Sequence, residues 1–128
     1  MAAKQEPNLV VRLVTDDQGR PKYIEDDDQR HYKVVFEVEN APEDAYVATF
    51  ELDPSYYDPI RTLKPDSDGK FRLATTTHGD YPLIVRLLRS NGAELVLKDS
   101  IVRGLRRTRS TMASSPAIDA ALSEIADH

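Results

Sequence analysis

Two segments in which apolar and polar residues alternate constrain the fold of this chain more than any other feature. In His31–Glu39, every second residue is large and apolar: Tyr32, Val34, Phe36 and Val38. The same period of two returns in Ala45–Leu52, through Tyr46, Ala48, Phe50 and Leu52. Alternate side chains of a strand point to opposite faces, so each segment predicts a β-strand with one buried face.

The rest of the first hundred residues continues this pattern in short pieces. Further strands are predicted over Asn8–Thr15, Lys70–Ala74, Tyr81–Arg89 and Glu94–Val102. Turn signals rich in Gly, Pro, Asp and Asn separate them, and Ser90-Asn-Gly92 is typical of a tight hairpin. Three segments are predicted as loops: an acidic, flexible one over Glu25–Arg30, Asp53–Tyr57 between two prolines, and the polar Thr75–Asp80.

About seven short strands, with no helical pattern before residue 110, predict an all-β domain. Turn residues at each junction favour a β-sandwich. A jelly roll or a small barrel is compatible with the same pattern. We therefore expect one sandwich over residues 1–105, with a different kind of segment over 106–128.

The tail, residues 106–128, has a helix signature. Ser115 can cap a helix whose first position is Pro116. A single apolar stripe follows, at Ile118, Leu122 and Ile125. An isolated helix of this length is marginal in water, so we expect the stripe to contact either the sandwich or another chain, and an oligomer held by the tail is one outcome.

Four arginines precede this helix and have two interpretations. Arg103, Arg106, Arg107 and Arg109 form either a solvated basic linker or a docking site for an acidic partner or nucleic acid.

Composition narrows the class of protein. The chain has 128 residues, 40% of them hydrophobic and 30% charged, which fits one soluble globular domain. Its net charge of −5 disfavours nucleic acid as the main partner. There is no cysteine and no apolar run long enough to span a membrane, and the first residues lack a secretory signal, so we expect a cytoplasmic protein.

No pattern in the sequence predicts catalysis, a metal or a cofactor. Ser55, His78 and Asp80 supply the residue types of a hydrolase triad, but no nucleophile elbow surrounds Ser55. Asp66–Phe71 resembles part of a calcium loop, but Lys64 stands where a ligand is needed. Three histidines in the whole chain make a multi-histidine metal site improbable.

Two loops carry a resemblance to a known family. Leu52-Asp-Pro-Ser-Tyr-Tyr-Asp-Pro59 resembles the loop with which YEATS domains leave a strand, and Thr77-His-Gly-Asp-Tyr81 is similar in spacing to a second loop of that family. Together with the flanking strands the resemblance spans roughly residues 30–105 and points to the prokaryotic branch. It implies an immunoglobulin-like β-sandwich with both loops at one end.

The resemblance also implies a binding site for a modified side chain. In the acyl-lysine readers of this family a hydroxyl holds the amide and two aromatic faces enclose the acyl group. By position Ser55 matches the hydroxyl, Tyr56 one aromatic and His78 the other, with Tyr57, Gly79 and Asp80 completing the two loops. Imidazole is smaller than the usual aromatic and can be charged near neutral pH, so we expect weak acyl-lysine binding. The alternative is that Tyr56 and Tyr57 only pack the end of the sandwich.

The function that follows is recognition without catalysis. We expect a module that binds a protein partner or a peptide at the loop end, in a signalling, stress or defence assembly. The alternative is a structural or accessory subunit that the C-terminal tail holds in a larger complex.

Overall fold

The computed structural model describes residues 6–111 and 115–128. Within these residues the chain forms eight strands and two helices. They are β1 (Asn8–Leu13), β2 (Tyr23–Asp26), β3 (Gln29–Glu39), β4 (Ala45–Glu51), β5 (Ile60–Leu63), β6 (Phe71–Thr77), β7 (Pro82–Arg89), β8 (Glu94–Ser100), α1 (Ile101–Arg109) and α2 (Pro116–Ala126). The chain is therefore mostly β, as the alternating pattern predicts.

The strands form two antiparallel sheets that enclose one core. In the first sheet β3 pairs with β1 and β2 on one side and with β6 on the other, and the second has the order β5-β4-β7-β8. Five residues that the sequence places inside are buried: Phe36, Phe50, Leu52, Val85 and Leu87. The apolar faces predicted for β3, β4 and β7 thus meet between the sheets, and the predicted sandwich is confirmed.

One residue predicted to lie in the core is exposed to solvent. Tyr46 was assigned to the apolar face of β4, yet it is 48% exposed and its neighbour Ala45 is buried. The cause is a β-bulge, because the register of β4 against β7 shifts between Ala45 and Val47. A bulge inserts one residue and reverses the alternation on its N-terminal side.

The acidic segment Glu25–Arg30 is a hairpin and not a flexible loop. β2 pairs with the start of β3, and the turn between them places Asp27 and Asp28 at φ 51° and 61°. Two successive residues at positive φ form the tight turn that matches the twist of a hairpin. Aspartate tolerates this conformation better than most residues, and this is how an acidic run forms a turn.

The prediction that no helix precedes residue 110 is wrong. The last strand ends at Ser100, whose hydroxyl accepts the backbone N–H of Arg103 and caps α1. The helix covers the open edge of β1, where the Thr108 hydroxyl donates to the Val11 carbonyl at 2.7 Å. Residue 105 lies inside α1 and is buried, so the boundary expected there falls within a helix packed on the sheet.

The second helix has the start that the sequence predicts. The Ser115 side chain accepts the backbone N–H of Ile118, and Pro116 stands in the first turn. Ile118, Leu122 and Ile125 are all buried in the common core of the chain. The stripe is therefore buried by packing within the chain, where α2 lies against α1 in the core that the helices share with the sandwich.

Among the described residues, no helix has the length and apolar content that crossing a bilayer requires.

Candidate functional site

The two loops that carry the family resemblance meet at one end of the sandwich and border an open cleft of about 340 Å³. Four of the six predicted ligand-binding residues line it, and four further residues complete the wall. The lining consists of His31, Ser55, Tyr56, Tyr57, Arg61, Thr75, Thr76 and His78. The fold thus brings Ser55, Tyr56 and His78 to a single surface.

The hydroxyl of Ser55 is oriented by Asp53. Ser55 Oγ donates to Asp53 Oδ2 at 2.5 Å, and the Ser55 backbone N–H donates to the same oxygen at 3.1 Å. These hydrogen bonds, that from the hydroxyl first, lower the pKa of Asp53 below its ordinary value, so the carboxylate stays an acceptor. With its proton committed, the Ser55 oxygen offers lone pairs, and a ligand must meet it with an N–H or O–H.

This orientation also speaks against a nucleophilic serine. A catalytic serine donates to a histidine that removes its proton, whereas Ser55 donates to a carboxylate on its own loop. His78, the expected base, lies in the wall of the cleft with its ring beside another imidazole.

The ring of Tyr56 is positioned by hydrogen bonds of its hydroxyl and by contact with a second tyrosine. Its hydroxyl donates to the Thr76 carbonyl at 2.5 Å and accepts from the Tyr81 hydroxyl at 3.0 Å. The rings of Tyr56 and Tyr81 meet edge to face, 5.5 Å apart at 77°. Tyr56 is half-buried, so part of its ring forms the cleft wall. Tyr57, in contrast, is 99% exposed and stands at the rim.

A second imidazole, which sequence reasoning missed, faces the first. The rings of His31 and His78 lie 5.1 Å apart at 56°. The register of β3 against β6 explains this, because Tyr32 pairs with Thr77 and the next positions outward are His31 and His78. The strand prediction contained His31, but only the pairing of β3 with β6 showed that it belongs to the site.

The cleft carries cationic and no anionic side chains among its lining residues. Arg61, also missed, comes from β5 and donates through Nε to the backbone carbonyl of Asp58 at 2.5 Å. Together with the two imidazoles it makes the wall neutral to positive. This contrasts with the net charge of −5 for the whole chain.

The other two predicted residues, Gly79 and Asp80, line a neighbouring cleft of about 340 Å³ on the far side of His78. Asp80 Oδ1 accepts the backbone N–H of Val102 at 3.0 Å and so anchors the first turn of α1. Gly79 lies against His128: a Cβ at residue 79 would come within 2.9 Å of the His128 carbonyl carbon. Both residues therefore connect the loop to the helical segment.

Two of the four arginines that precede α2 form ion pairs with described residues, and two do not. Arg107 binds Asp99 at 2.8 Å, and Arg109 binds Asp119 at 2.8 Å, so each stabilises the packing of a helix. Arg103 and Arg106 are exposed and form no ion pair within the described part of the chain. The prediction of a basic linker does not hold for these residues, because all four lie in α1.

Comparison with known proteins gives matches at the level of structure only. No family model matches this sequence, and no curated protein does. Among solved structures, the Yaf9 YEATS domain recognizing an H3K122suc peptide is similar with a TM-score of 0.51 and 16% identity, over 78% of this chain and 77% of that chain. Another structure of the Yaf9 YEATS domain has a TM-score of 0.49 at 16% identity, over 78% of this chain and 79% of that one.

At this identity the likeness identifies the fold. The resemblance inferred from the two loops is confirmed at that level, and the prokaryotic branch stays a prediction. The chain has a YEATS-like, immunoglobulin-type β-sandwich with two short helices packed on it.

Proposed function

We propose that this chain is a non-enzymatic recognition module that binds a peptide through an acylated lysine at the loop end of the sandwich. The observation that carries the proposal is that Ser55, Tyr56 and His78 line one open cleft. A hydroxyl and two aromatic faces are what the amide and the acyl group of such a side chain need. The YEATS-like fold supports the same function.

The hydrogen bonding of the cleft supports one orientation of the ligand. The amide N–H of an acylated lysine is a donor, and the Ser55 oxygen is left as an acceptor by its bond to Asp53. The acyl group would then lie against the Tyr56 ring, with the two imidazoles on the opposite side.

The charge of the lining favours an acyl group that ends in a carboxylate. Arg61, His31 and His78 all reach the cleft, and no acidic residue lines it. A protonated imidazole stabilises a carboxylate and disfavours an apolar acyl chain. The Yaf9 YEATS domain, which shares the fold, recognizes an H3K122suc peptide.

Calorimetric titration with acetyl-, crotonyl- and succinyl-lysine peptides at low and high salt tests this proposal. We expect succinyl-lysine to bind more tightly than the two neutral acyl-lysines, and we expect added salt to reduce that difference in affinity, because screening weakens the attraction between its carboxylate and Arg61.

A matched pair of variants shows whether this cleft is the site. Tyr56→Ala removes the aromatic ring on which the acyl group would stack, together with the hydrogen bonds that hold this ring in the cleft wall. Each contribution is worth on the order of 1 kcal/mol, so the affinity should fall roughly tenfold or more. Tyr46→Ala, an exposed tyrosine on the second sheet, should leave affinity unchanged. Binding that survives Tyr56→Ala would place the ligand elsewhere.

The resemblance further supports a role in a signalling, stress or defence assembly, in which a partner chain supplies the effector. The second candidate function is an accessory subunit docked through the tail. Arg103 and Arg106, which are exposed and form no ion pair with the described residues, favour it, although the apolar stripe of α2 is already buried within the chain. Light scattering of the assembled complex, with the wild type and with Arg103→Glu/Arg106→Glu, tests the accessory role. Loss of the complex with an unchanged melting temperature of the chain supports docking through these arginines, and an intact complex contradicts it.

A further inference from the structure

A chain of hydroxyl groups runs from the core to the wall of the cleft. We propose that Tyr81, which the sequence places where a loop meets a predicted strand, is a positioning residue for ligand recognition because it fixes the ring of Tyr56. The inference rests on the proposed function and names the residue that prepares its aromatic face.

The direction of the hydrogen bonds follows from their last member. The Thr76 carbonyl can only accept, so the Tyr56 hydroxyl must donate to it, across 2.5 Å. The Tyr56 oxygen is then free to accept, and the Tyr81 hydroxyl, 3.0 Å away, donates to it. Burial first, and then the bond to Tyr56, raise the pKa of Tyr81 far above its ordinary value, so this proton stays in place at any working pH.

Packing holds Tyr81 in place. It is 7% exposed and belongs to the common core of the chain, and its ring meets the Tyr56 ring edge to face. The loop Asp53–Tyr57 is thereby attached at two points, to the core through Tyr81 and to strand β6 through Thr76. The Tyr56 ring is prearranged for a flat group, so binding need not pay for ordering it.

The arrangement also limits what Tyr56 can offer. Its proton is committed to Thr76, so it presents a ring face and no hydrogen-bond donor to the ligand. We therefore expect the contribution of Tyr56 to depend on ring position and not on its hydroxyl as a contact.

A double-mutant cycle measured by thermal unfolding tests, without any ligand, the hydrogen-bond relay that runs from the Tyr81 hydroxyl through the Tyr56 hydroxyl to the Thr76 carbonyl. Tyr81→Phe removes one hydrogen bond, and each such loss should lower the melting temperature by roughly 4 °C. Tyr56→Phe should cost more, because it leaves the buried Tyr81 hydroxyl without a partner. The double variant should therefore melt no lower than Tyr56→Phe alone. Additive shifts would overturn the relay.

Binding of the succinyl-lysine peptide, which the proposed function expects to bind best of the three, tests the positioning role. We expect Tyr81→Phe to weaken binding on the order of fivefold, the equivalent of one hydrogen bond, and the double variant to be no worse than Tyr56→Phe. Tyr32→Phe is the matched control, since it removes another buried hydroxyl, bonded to Glu124 in α2 at 2.7 Å, and should leave affinity unchanged.

The outcomes separate the two proposals. A coupled cycle with unchanged affinity in Tyr81→Phe would overturn the positioning role while leaving the site intact. Equal losses in Tyr81→Phe and Tyr32→Phe would show a general effect of stability and would overturn it as well. If the wild type binds none of the acyl-lysine peptides, the proposed function fails and the positioning role with it, while the unfolding cycle still shows whether the hydrogen bonds of Tyr81 and Tyr56 are coupled.

Discussion

Replacing Gly104 with alanine should destabilise the protein, although glycine is a poor residue inside a helix. Gly104 lies in α1, where the helix crosses β1 at close range. A methyl group at residue 104 would lie 2.6 Å from Val11 Cγ2 and 2.9 Å from Val11 Cβ. Carbon atoms in contact are normally about 3.5–4.0 Å apart, so the helix or the strand must move.

Two opposing terms give the size of the effect. Alanine gains about 1 kcal/mol over glycine in a helix interior, whereas overpacking a core costs about 1–3 kcal/mol and sometimes more. Val11 is fully buried, and its carbonyl is bound by Thr108 of the same helix, so neither element yields easily. We expect a net loss of about 1–2 kcal/mol, or roughly 4–8 °C in melting temperature.

Thermal and urea unfolding measure this loss, with two further variants. Arg103→Ala, on the exposed face of the same helix, is the control for an alanine introduced where no close contact is made, and it should be close to neutral. Val11→Ala removes Cγ2, the atom that the new methyl group would approach most closely, so Gly104→Ala/Val11→Ala should be less destabilised than the sum of the single changes. A Gly104→Ala protein that melts at or above the wild type would refute the close contact.

Three further changes have predictable results. Phe50→Ala empties a fully buried site and should cost about 3–5 kcal/mol in chemical unfolding; a change within the error of the measurement would exclude the assigned register. An ester analogue of the acylated lysine lacks the N–H that would donate to the Ser55 oxygen, so it should bind roughly tenfold more weakly than the amide. In Asp53→Ala the Ser55 hydroxyl can rotate and donate to the ester, so the difference in affinity between amide and ester should be smaller. The pKa of Asp44 is lowered, first by the hydrogen bond that its carboxylate accepts from Arg89. The ionised carboxylate therefore stabilises the fold at pH values above its pKa in the unfolded chain, and this contribution is lost as the pH falls. In melting curves between pH 2 and pH 7, Asp44→Asn should differ most from the wild type near neutral pH and should converge with it in acid.

Local patterns were enough for most of the sandwich. Alternation along β3, β4 and β7 depends only on the period of a strand, so the buried faces could be assigned from residues such as Phe36 and Val85 without knowing their partners. The cap of α2 was equally readable, because Ser115 and Pro116 act within one turn of the helix.

Other elements were decided by tertiary contacts. The capping residue of α1 is also the last residue of β8, and the apolar stripe of this basic helix is short, so the sequence alone does not separate the helix from the strand before it. The segment forms a helix in the folded chain because it packs on the open edge of β1. β5 has four residues and is held by its pairing with β4. The bulge that exposes Tyr46 depends on the register between β4 and β7, which no single strand encodes.

The candidate site divides in the same way. The sequence determined that Ser55, Tyr56 and His78 stand on two loops, because proline and glycine interrupt the strands there. Only the paired strands placed His31 and Arg61 in the same cleft, and only the packed core placed the Tyr81 hydroxyl behind Tyr56. A pattern along the chain reports which face of an element is buried, whereas the charge and rigidity of a site depend on residues distant in sequence that packing brings together.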